Sequence, residues 1–310
     1  MELFSFYNVE NLFPPDPESK HKLNPTYSGL RNWDERKYRN KLLKIAHVFR
    51  IMKERNASLP FMIGLAEVSG KSVLEDLIQL EPFAGNYGIV HYPSRDERKV
   101  DVALLYDRDK LQLISSEAIT FDFENVCKNT ENVDTTRDVL HAKVRYKEQV
   151  INVFVVHLPS KRGKDINKPK RDFILKEIRN RILHSMDEDK EPVILCGDFN
   201  ENPNHENITD VLYDNMQNRR LQNPFEQLFS KRKYSVFHHK SGMLFDQIIL
   251  SEDFFSGVHG LLFQEAAVFS PEKICTRDRK FAGRPLRTFA GTRYLGGYSD
   301  HFPVFVRLSN

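Results

Sequence analysis

The chain has 310 residues, 40% of them hydrophobic and 29% charged, an ordinary globular balance with material for a sizeable core. Its net charge of +3 allows a local basic patch but supplies no long non-specific grip on duplex DNA. Three widely spaced cysteines, Cys127, Cys196 and Cys275, argue against a disulfide framework and against a CxxC zinc site.

Several short strands and three helices are predicted along the chain. Residues 2–8 form the first strand. Residues 13–33 follow as a loop, punctuated by Pro14, Pro15, Pro17, Pro25 and Gly29. A helix over 34–54 places Tyr38, Leu42, Ile45, Ala46, Phe49 and Met52 on one stripe, with Asn32 and Glu35 as its capping box. Next come a strand at 60–66, a helix at 70–80 marked by Val73, Leu74, Leu77 and Ile78, and strands at 88–92 and 100–106. Strand 100–106 is expected to pair as a hairpin with 111–119, and 138–146 with 150–157. A helix over 170–186 carries Phe173, Ile174, Ile178 and Ile182. The strand at 192–197 contains Val193-Ile194-Leu195-Cys196, so Cys196 reads as a buried small hydrophobe. Strands at 244–251 and 302–308 complete the set, on either side of a Gly-, Pro- and Arg-rich loop at 271–297. Hairpins mixed with helical crossovers argue for mixed or antiparallel sheets under helices.

No apolar stretch approaches the ~18 residues of a membrane span, so none is expected. No signal peptide is visible, which points to the cytoplasm. A leader removed from the chain would instead imply a secreted or periplasmic protein. A monomer is expected.

The strands repeatedly end in polar groups. Strand 2–8 runs into Asn8-Val9-Glu10-Asn11, 60–66 into Glu67, 150–157 into His157, and 192–197 into Asp198-Phe199-Asn200. Asp246 opens an apolar run, and Ser299-Asp300-His301 precede the last strand. Each has a bland reading: Glu67 as a solvated strand cap, His157 as a core-edge histidine, Asp198 as an Asx turn, Asp246 as a buried acid paired with an arginine. Ionisable groups are costly to bury unless paired or bound to a metal. An ordered series of this kind points to convergence on one site.

This series resembles the endonuclease/exonuclease/phosphatase superfamily, which includes DNase I-like nucleases, abasic-site endonucleases, sphingomyelinases and inositol-polyphosphate 5-phosphatases. The resemblance covers Asn8 to His301. It is carried most strongly by Gly197-Asp198-Phe199-Asn200 and Ser299-Asp300-His301, together with Asn8, Glu67, His157 and Asp246 in order. Tyr7-Asn8-Val9-Glu10-Asn11-Leu12-Phe13, His157-Leu158-Pro159-Ser160-Lys161-Arg162-Gly163 and Gly296-Gly297-Tyr298 resemble a bacterial branch of unassigned substrate. The chain departs from the pattern at Ala66, where glutamine often precedes the glutamate, and at Val155-Val156, where an Asn-x pair often precedes the histidine.

The resemblance implies one domain over 1–310, built as a four-layer α/β sandwich of two packed mixed sheets flanked by helices. It implies Mg²⁺-dependent phosphoesterase activity, with Mn²⁺ as a substitute. Glu67 is then the main metal ligand, with Glu10, Asp300 and Asn8 beside it. Asp198 activates the attacking water, Asn200 binds phosphate or fixes that water, and Asp246 holds His301 as an imidazolium. His157 makes a second phosphate contact or donates to the leaving group.

Arg137 is a candidate phosphate contact, and Lys161 and Arg162 are candidates for the substrate entrance, each with a surface alternative. Asp101 is expected to be structural. Lys273, Arg277, Arg279, Lys280, Arg284, Arg287 and Arg293, interleaved with Phe281, Phe289 and Tyr294, read as a basic wall able to stack bases, as a grip for an inositol polyphosphate or other crowded anion, or as a solubilising loop. A phosphodiester such as DNA or RNA is the first reading of the substrate. A phosphomonoesterase acting on inositol or sugar phosphates is the second. A non-catalytic anion- or nucleic-acid-binding module is the third, and it predicts loss of Glu67, His157, Asp198 or His301, all of which are present.

Overall fold

Side chains alternate across a strand, and here both faces of the central strands are apolar. In β1 (Glu2–Leu12), Phe4 and Phe6 point to one face and Leu3, Tyr7 and Val9 to the other, all buried. Such a strand needs cover on both sides, so it lies inside a layered fold. A computed structural model describes residues 1–16, 30–96, 98–123, 137–161, 165–257 and 260–309.

Two six-stranded sheets form the centre. The first runs β13 (Leu262–Val268), β16 (Val304–Ser309), β1, β2 (Met62–Val68), β4 (Asp101–Asp107), β3 (Tyr87–His91). The second runs β5 (Leu111–Ile119), β6 (Val139–Tyr146), β7 (Gln149–His157), β8 (Val193–Asp198), β12 (Asp246–Ser251), β9 (Leu221–Gln222). Each is mixed: β1–β2 and β7–β8 are parallel, and the other neighbours are antiparallel. Two hairpins stand apart, β10–β11 (Val236–His238, Ser241–Met243) and β14–β15 (Phe289–Ala290, Arg293–Tyr294).

Phe4, Phe6, Met62 and Leu104 from the first sheet meet Val153, Val155, Ile194 and Ile248 from the second. Each such buried side chain contributes roughly 1.5–3 kcal/mol. Gly64 leaves room for the facing sheet: a Cβ there would lie 2.9 Å from Cys196 Sγ. Helices α1 (Glu35–Asn56) and α2 (Lys71–Ile78) cover the outer face of the first sheet through Ile45, Phe49, Met52, Leu74 and Leu77. Helix α3 (Lys168–His184) covers the second through Ile174, Ile178 and Ile182. The result is the four-layer sandwich expected from the sequence. No helix among the described residues is long and apolar enough to cross a membrane.

Three local expectations fail. The α1 cap is Asp34, whose carboxylate accepts from Lys37 N at 2.8 Å, while Asn32 sits at φ 47° outside the helix. An acid directly before the first helical residue outcompetes an amide two positions earlier. Segments 100–106 and 111–119 are not a hairpin: β4 belongs to the first sheet and β5 to the second. The short turn between them carries the chain across the sandwich. Finally, β13 was not anticipated, because Leu-Phe-Gln-Glu-Ala-Ala-Val lies at a sheet edge and is half-exposed, so its pattern is weakly apolar.

Candidate active site

Strand register alone assembles half of the candidate site. His157 pairs with Asp198 across β7–β8, and Asp198 pairs with Asp246 across β8–β12. The three side chains therefore stand in one row at one end of the second sheet. Gly197 lets the strands approach: a Cβ there would lie 2.2 Å from the Val156 carbonyl oxygen. His301 reaches the row through Ser299, whose hydroxyl donates to Asn8 O at 2.7 Å and accepts from His301 N at 3.1 Å.

The first sheet supplies the other half. Its ladder breaks between Asn8 and Leu12. There Glu10, Asn11 and, on β2, Glu67 adopt φ of 51°, 58° and 64°. Asparagine tolerates this region, but glutamate there stores strain on the order of 1 kcal/mol or more. Hydrogen bonds hold the bend. Glu10 N donates to Asn8 Oδ1 at 3.0 Å, and Asn11 N donates to Glu67 Oε2 at 3.0 Å. The Asn8 amide spans the two sheets, donating to Asp198 Oδ2 at 3.0 Å and reaching Glu67 Oε1 at 3.4 Å.

Asp198 divides its two oxygens. Oδ1 accepts from Asn200 N at 3.0 Å, so the Asx turn is real. Oδ2 lies 3.7 Å from His157 Nε2 and 3.8 Å from His301 Nε2. Burial pushes the Asp198 carboxyl up to about 6, although the His301 imidazolium pulls the other way. The histidines differ sharply. Burial lowers His157 well below the usual imidazole range, reinforced by the charges of Arg137 and Arg98, and its Nδ1 has no hydrogen-bond partner among the described residues. Burial would lower His301 too, but Asp246, Asp198 and Asp300 raise it well above that range. Its Nδ1 lies 2.7 Å from Asp246 Oδ2.

Beyond Asn8 lies a second group of charges. Glu10 Oε2 accepts from Thr288 N at 2.6 Å and lies 3.9 Å from Lys41 Nζ. Asp300 Oδ2 accepts from Arg287 Nη2 at 2.7 Å. Burial and the nearby Asp300 push Glu10 up to about 7, and burial pulls Lys41 down to about 8 against the attraction of Glu10, Asp300 and Glu67. The partial burial of Asp300 would raise it, but His301 and Arg287 hold it below the usual carboxylate value.

The sequence of residues 3–310 matches the model of the Endonuclease/Exonuclease/phosphatase family. The chain belongs to this family. The family's members are hydrolases of phosphate esters, and the chain is such a hydrolase at that level. No curated protein matches the chain significantly. Among solved structures, the zebrafish (D. rerio) TDP2 complex with a single-strand DNA product is 15% identical, with TM-score 0.61 over 100% of this chain and 99% of that one. A mannosyl-6-phosphatase from Bacteroides thetaiotaomicron is 15% identical, with TM-score 0.62 over 100% of both chains. The human nocturnin catalytic domain with a bound sulfate is 15% identical, with TM-score 0.58 over 99% of this chain and 94% of that one. At such identities the likeness concerns the fold.

Two donor sets in this family member could hold a cation. Among the described residues, Asp198, Asp246 and His301 bring one ligand atom each to within 4.8 Å of one another. Asp246, Asp198 and Asp300, however, favour the protonated form of His301, and a protonated imidazole has no lone pair for a metal. Glu67, Glu10, Asp300 and Asn8 offer the oxygen donors that a hard divalent ion takes, but the three carboxylates do not bring ligand atoms within 4.8 Å of one another. Among the described residues, Glu67 accepts one short hydrogen bond, from Asn11 N, and one long one, from Asn8, with His157 Nε2 3.9 Å away.

The remaining expectations have mixed outcomes. Arg137 is buried, with Nε 3.3 Å from Asp96 Oδ2, and its charge is felt at His157. Lys161 is committed to an ion pair with the fully buried Glu201. Arg162 lies outside the described residues. Asn200 Nδ2 donates to Leu158 O at 2.9 Å, bracing the loop after His157. Asp101 is structural, bonded to His91 Nε2 at 2.9 Å and to Ser94 N at 2.8 Å. In the basic wall, Phe289 and Tyr294 pack on each other, and Phe289 also on Trp33, which leaves Phe281 as the exposed ring of the three.

Sequence reasoning missed Lys41, whose place on the apolar stripe of α1 was a signal, and Arg98, which donates to Asn11 Oδ1 at 2.9 Å.

Proposed function

We propose that the protein hydrolyses a phosphodiester, with DNA or RNA as the first substrate class, in a Mg²⁺-dependent reaction. The carrying observation is the row His157–Asp198–Asp246 with His301 beside it, in which one carboxylate faces a neutral and a charged histidine. Asp198 Oδ2 lies between them and takes a proton from the attacking water. His301, kept cationic by Asp246, stabilises negative charge growing on a phosphoryl oxygen. His157 donates one N–H to the phosphate or the leaving oxygen. Asn200 holds its loop against Leu158 and has one amide hydrogen left for phosphate.

Glu67, with Glu10, Asp300 and Asn8, would hold Mg²⁺, or Mn²⁺ in its place, and the ion would supply charge neutralisation for the phosphoryl oxygens. A nucleic acid among the phosphate esters is supported by a cation and an exposed ring beside the hairpin that bridges His301. The His301 backbone bridges Val236, and in the same hairpin Phe237 lies 5.1 Å under the Arg284 guanidinium. Arg284 also stacks on the exposed Phe281 at 5.1 Å.

The test is a substrate panel of plasmid DNA, bis-p-nitrophenyl phosphate and p-nitrophenyl phosphate with Mg²⁺. Diester cleavage is expected, abolished by EDTA and restored by Mg²⁺ or Mn²⁺. Cleavage of the monoester alone would establish a phosphomonoesterase instead. Full activity in EDTA would overturn the metal-dependent mechanism.

A further inference from the structure

Two cations already stand on the acids assigned above to the metal, and they are held very differently. Lys41 is fixed. Its side chain has no exposure, and Nζ donates to Thr288 Oγ1 at 2.6 Å and to Tyr298 O at 2.7 Å, while lying 3.9 Å from Glu10 Oε2. Arg287 is loose. Its side chain is 45% exposed, its Nη2 lies 2.7 Å from Asp300 Oδ2, and its Nε lies 3.9 Å from Glu10 Oε1. The guanidinium therefore reaches both carboxylates from the solvent side, and Lys41 reaches one from the interior.

Building on the hydrolytic reading, we propose that Arg287 is a phosphate-binding residue that the metal-free protein keeps engaged on Asp300 and Glu10. A divalent ion that takes these oxygens displaces Arg287 and frees it for the substrate. A hard cation and the guanidinium compete for the same carboxylate, since Arg287 Nη2 already holds Asp300 Oδ2 at 2.7 Å. Half-exposed arginine–carboxylate pairs separate easily, whereas the buried Lys41 has nowhere to go. The neighbouring Thr288 N is anchored on Glu10 Oε2 at 2.6 Å, so the backbone next to Arg287 stays put while its side chain swings. The released fork of donors matches the geometry of a phosphoryl group. Metal and phosphate should then bind cooperatively, each strengthening the other by the same factor.

The probes are Mn²⁺ alone, titrated by electron paramagnetic resonance, and inorganic phosphate, titrated by calorimetry with and without Mn²⁺. In the wild type, phosphate binding should tighten about tenfold when Mn²⁺ is present, within the usual range of coupling between sites. Arg287→Gln should bind Mn²⁺ alone several-fold more tightly, because the competing cation is gone. It should also lose most of the phosphate tightening. Mn²⁺ binding to Arg287→Gln that is unchanged or weaker overturns the proposal, as does undiminished coupling. Glu67→Gln separates the two levels. If Mn²⁺ binding to the wild type does not depend on Glu67, the metal assignment itself fails, and this inference with it. If it does depend on Glu67 but Arg287→Gln changes nothing, only the role of Arg287 fails.

Discussion

His157 and His301 approach the same oxygen, Asp198 Oδ2, at 3.7 and 3.8 Å, yet they belong to opposite electrostatic regions. Burial drives the His157 ring toward its neutral form and the charges of Arg137 and Arg98 add to this, although Glu67 Oε1 lies 3.9 Å from its Nε2. On the His301 side the neighbours are Asp246, Asp198 and Asp300, and the ring is held charged. Burial lowers both rings; at His301 the carboxylates of Asp246, Asp198 and Asp300 outweigh it, and at His157 nothing does. Groups whose environments drive their protonation apart can divide acid–base work at a single pH.

The largest break in this comparison comes from removing the carboxylate between the rings. Asp198→Asn should lower kcat by about 10²–10⁴-fold with the fold retained, as expected for loss of a general base. His301→Ala should fall in the same range, because it removes the cation that meets developing charge. Circular dichroism checks the fold, and steady-state rates on the cleaved diester check the loss. Near-normal turnover in either variant would remove that residue from the chemistry. The wild-type acidic limb of kcat/KM should lie near the Asp198 value of about 6, since the base must be ionised.

A finer cut leaves both rings in place and changes what charges one of them. Asp246→Asn removes the charge-assisted hydrogen bond at 2.7 Å to His301 Nδ1. Such a bond is worth about 1.5–3 kcal/mol, so activity should fall by roughly ten- to a hundredfold. His301 would then titrate lower, and the alkaline limb of the pH–rate profile should move to lower pH. A loss of rate with that limb unmoved would mean that Asp246 acts by packing rather than by charge.

The two regions were not equally legible in the sequence. Asp198, Asp246, His157 and His301 follow strand ends or open strands, so period-2 patterning and short motifs locate them. Their row follows from register, which is set by packing of both faces of β7, β8 and β12 and is invisible in local sequence. The counter-charges were harder to see. Lys41 sits on the buried stripe of α1 beside Leu42 and Ile45, and nothing local says that its ammonium meets Glu10, more than 30 positions away, rather than solvent. The positive φ of Glu10 and Glu67 was equally hidden, since glutamate carries no turn signal. The layers were legible from apolar periodicity. The crossing from β4 to β5 between sheets was not, because a short turn reads the same whether it closes a hairpin or leaves a sheet.

The smallest effect concerns stability, and the two histidines should act on it with opposite sign. An unfolded imidazole titrates near 6.5, as an order-of-magnitude reference. His157 is lowered in the fold, so as pH drops below about 6.5 the unfolded chain takes up the proton first and stability is lost. His301 is raised, so its contribution is fully present below about 6.5 and is lost as pH rises through its folded value. In metal-free protein, His157→Asn should therefore flatten the acidic fall in melting temperature, and His301→Asn the alkaline fall. Chemical denaturation from pH 5 to 9 would detect both slopes. If His157→Asn left the acidic slope unchanged, its neutrality in the fold would be refuted, and the contrast between the two rings would reduce to that of His301 alone.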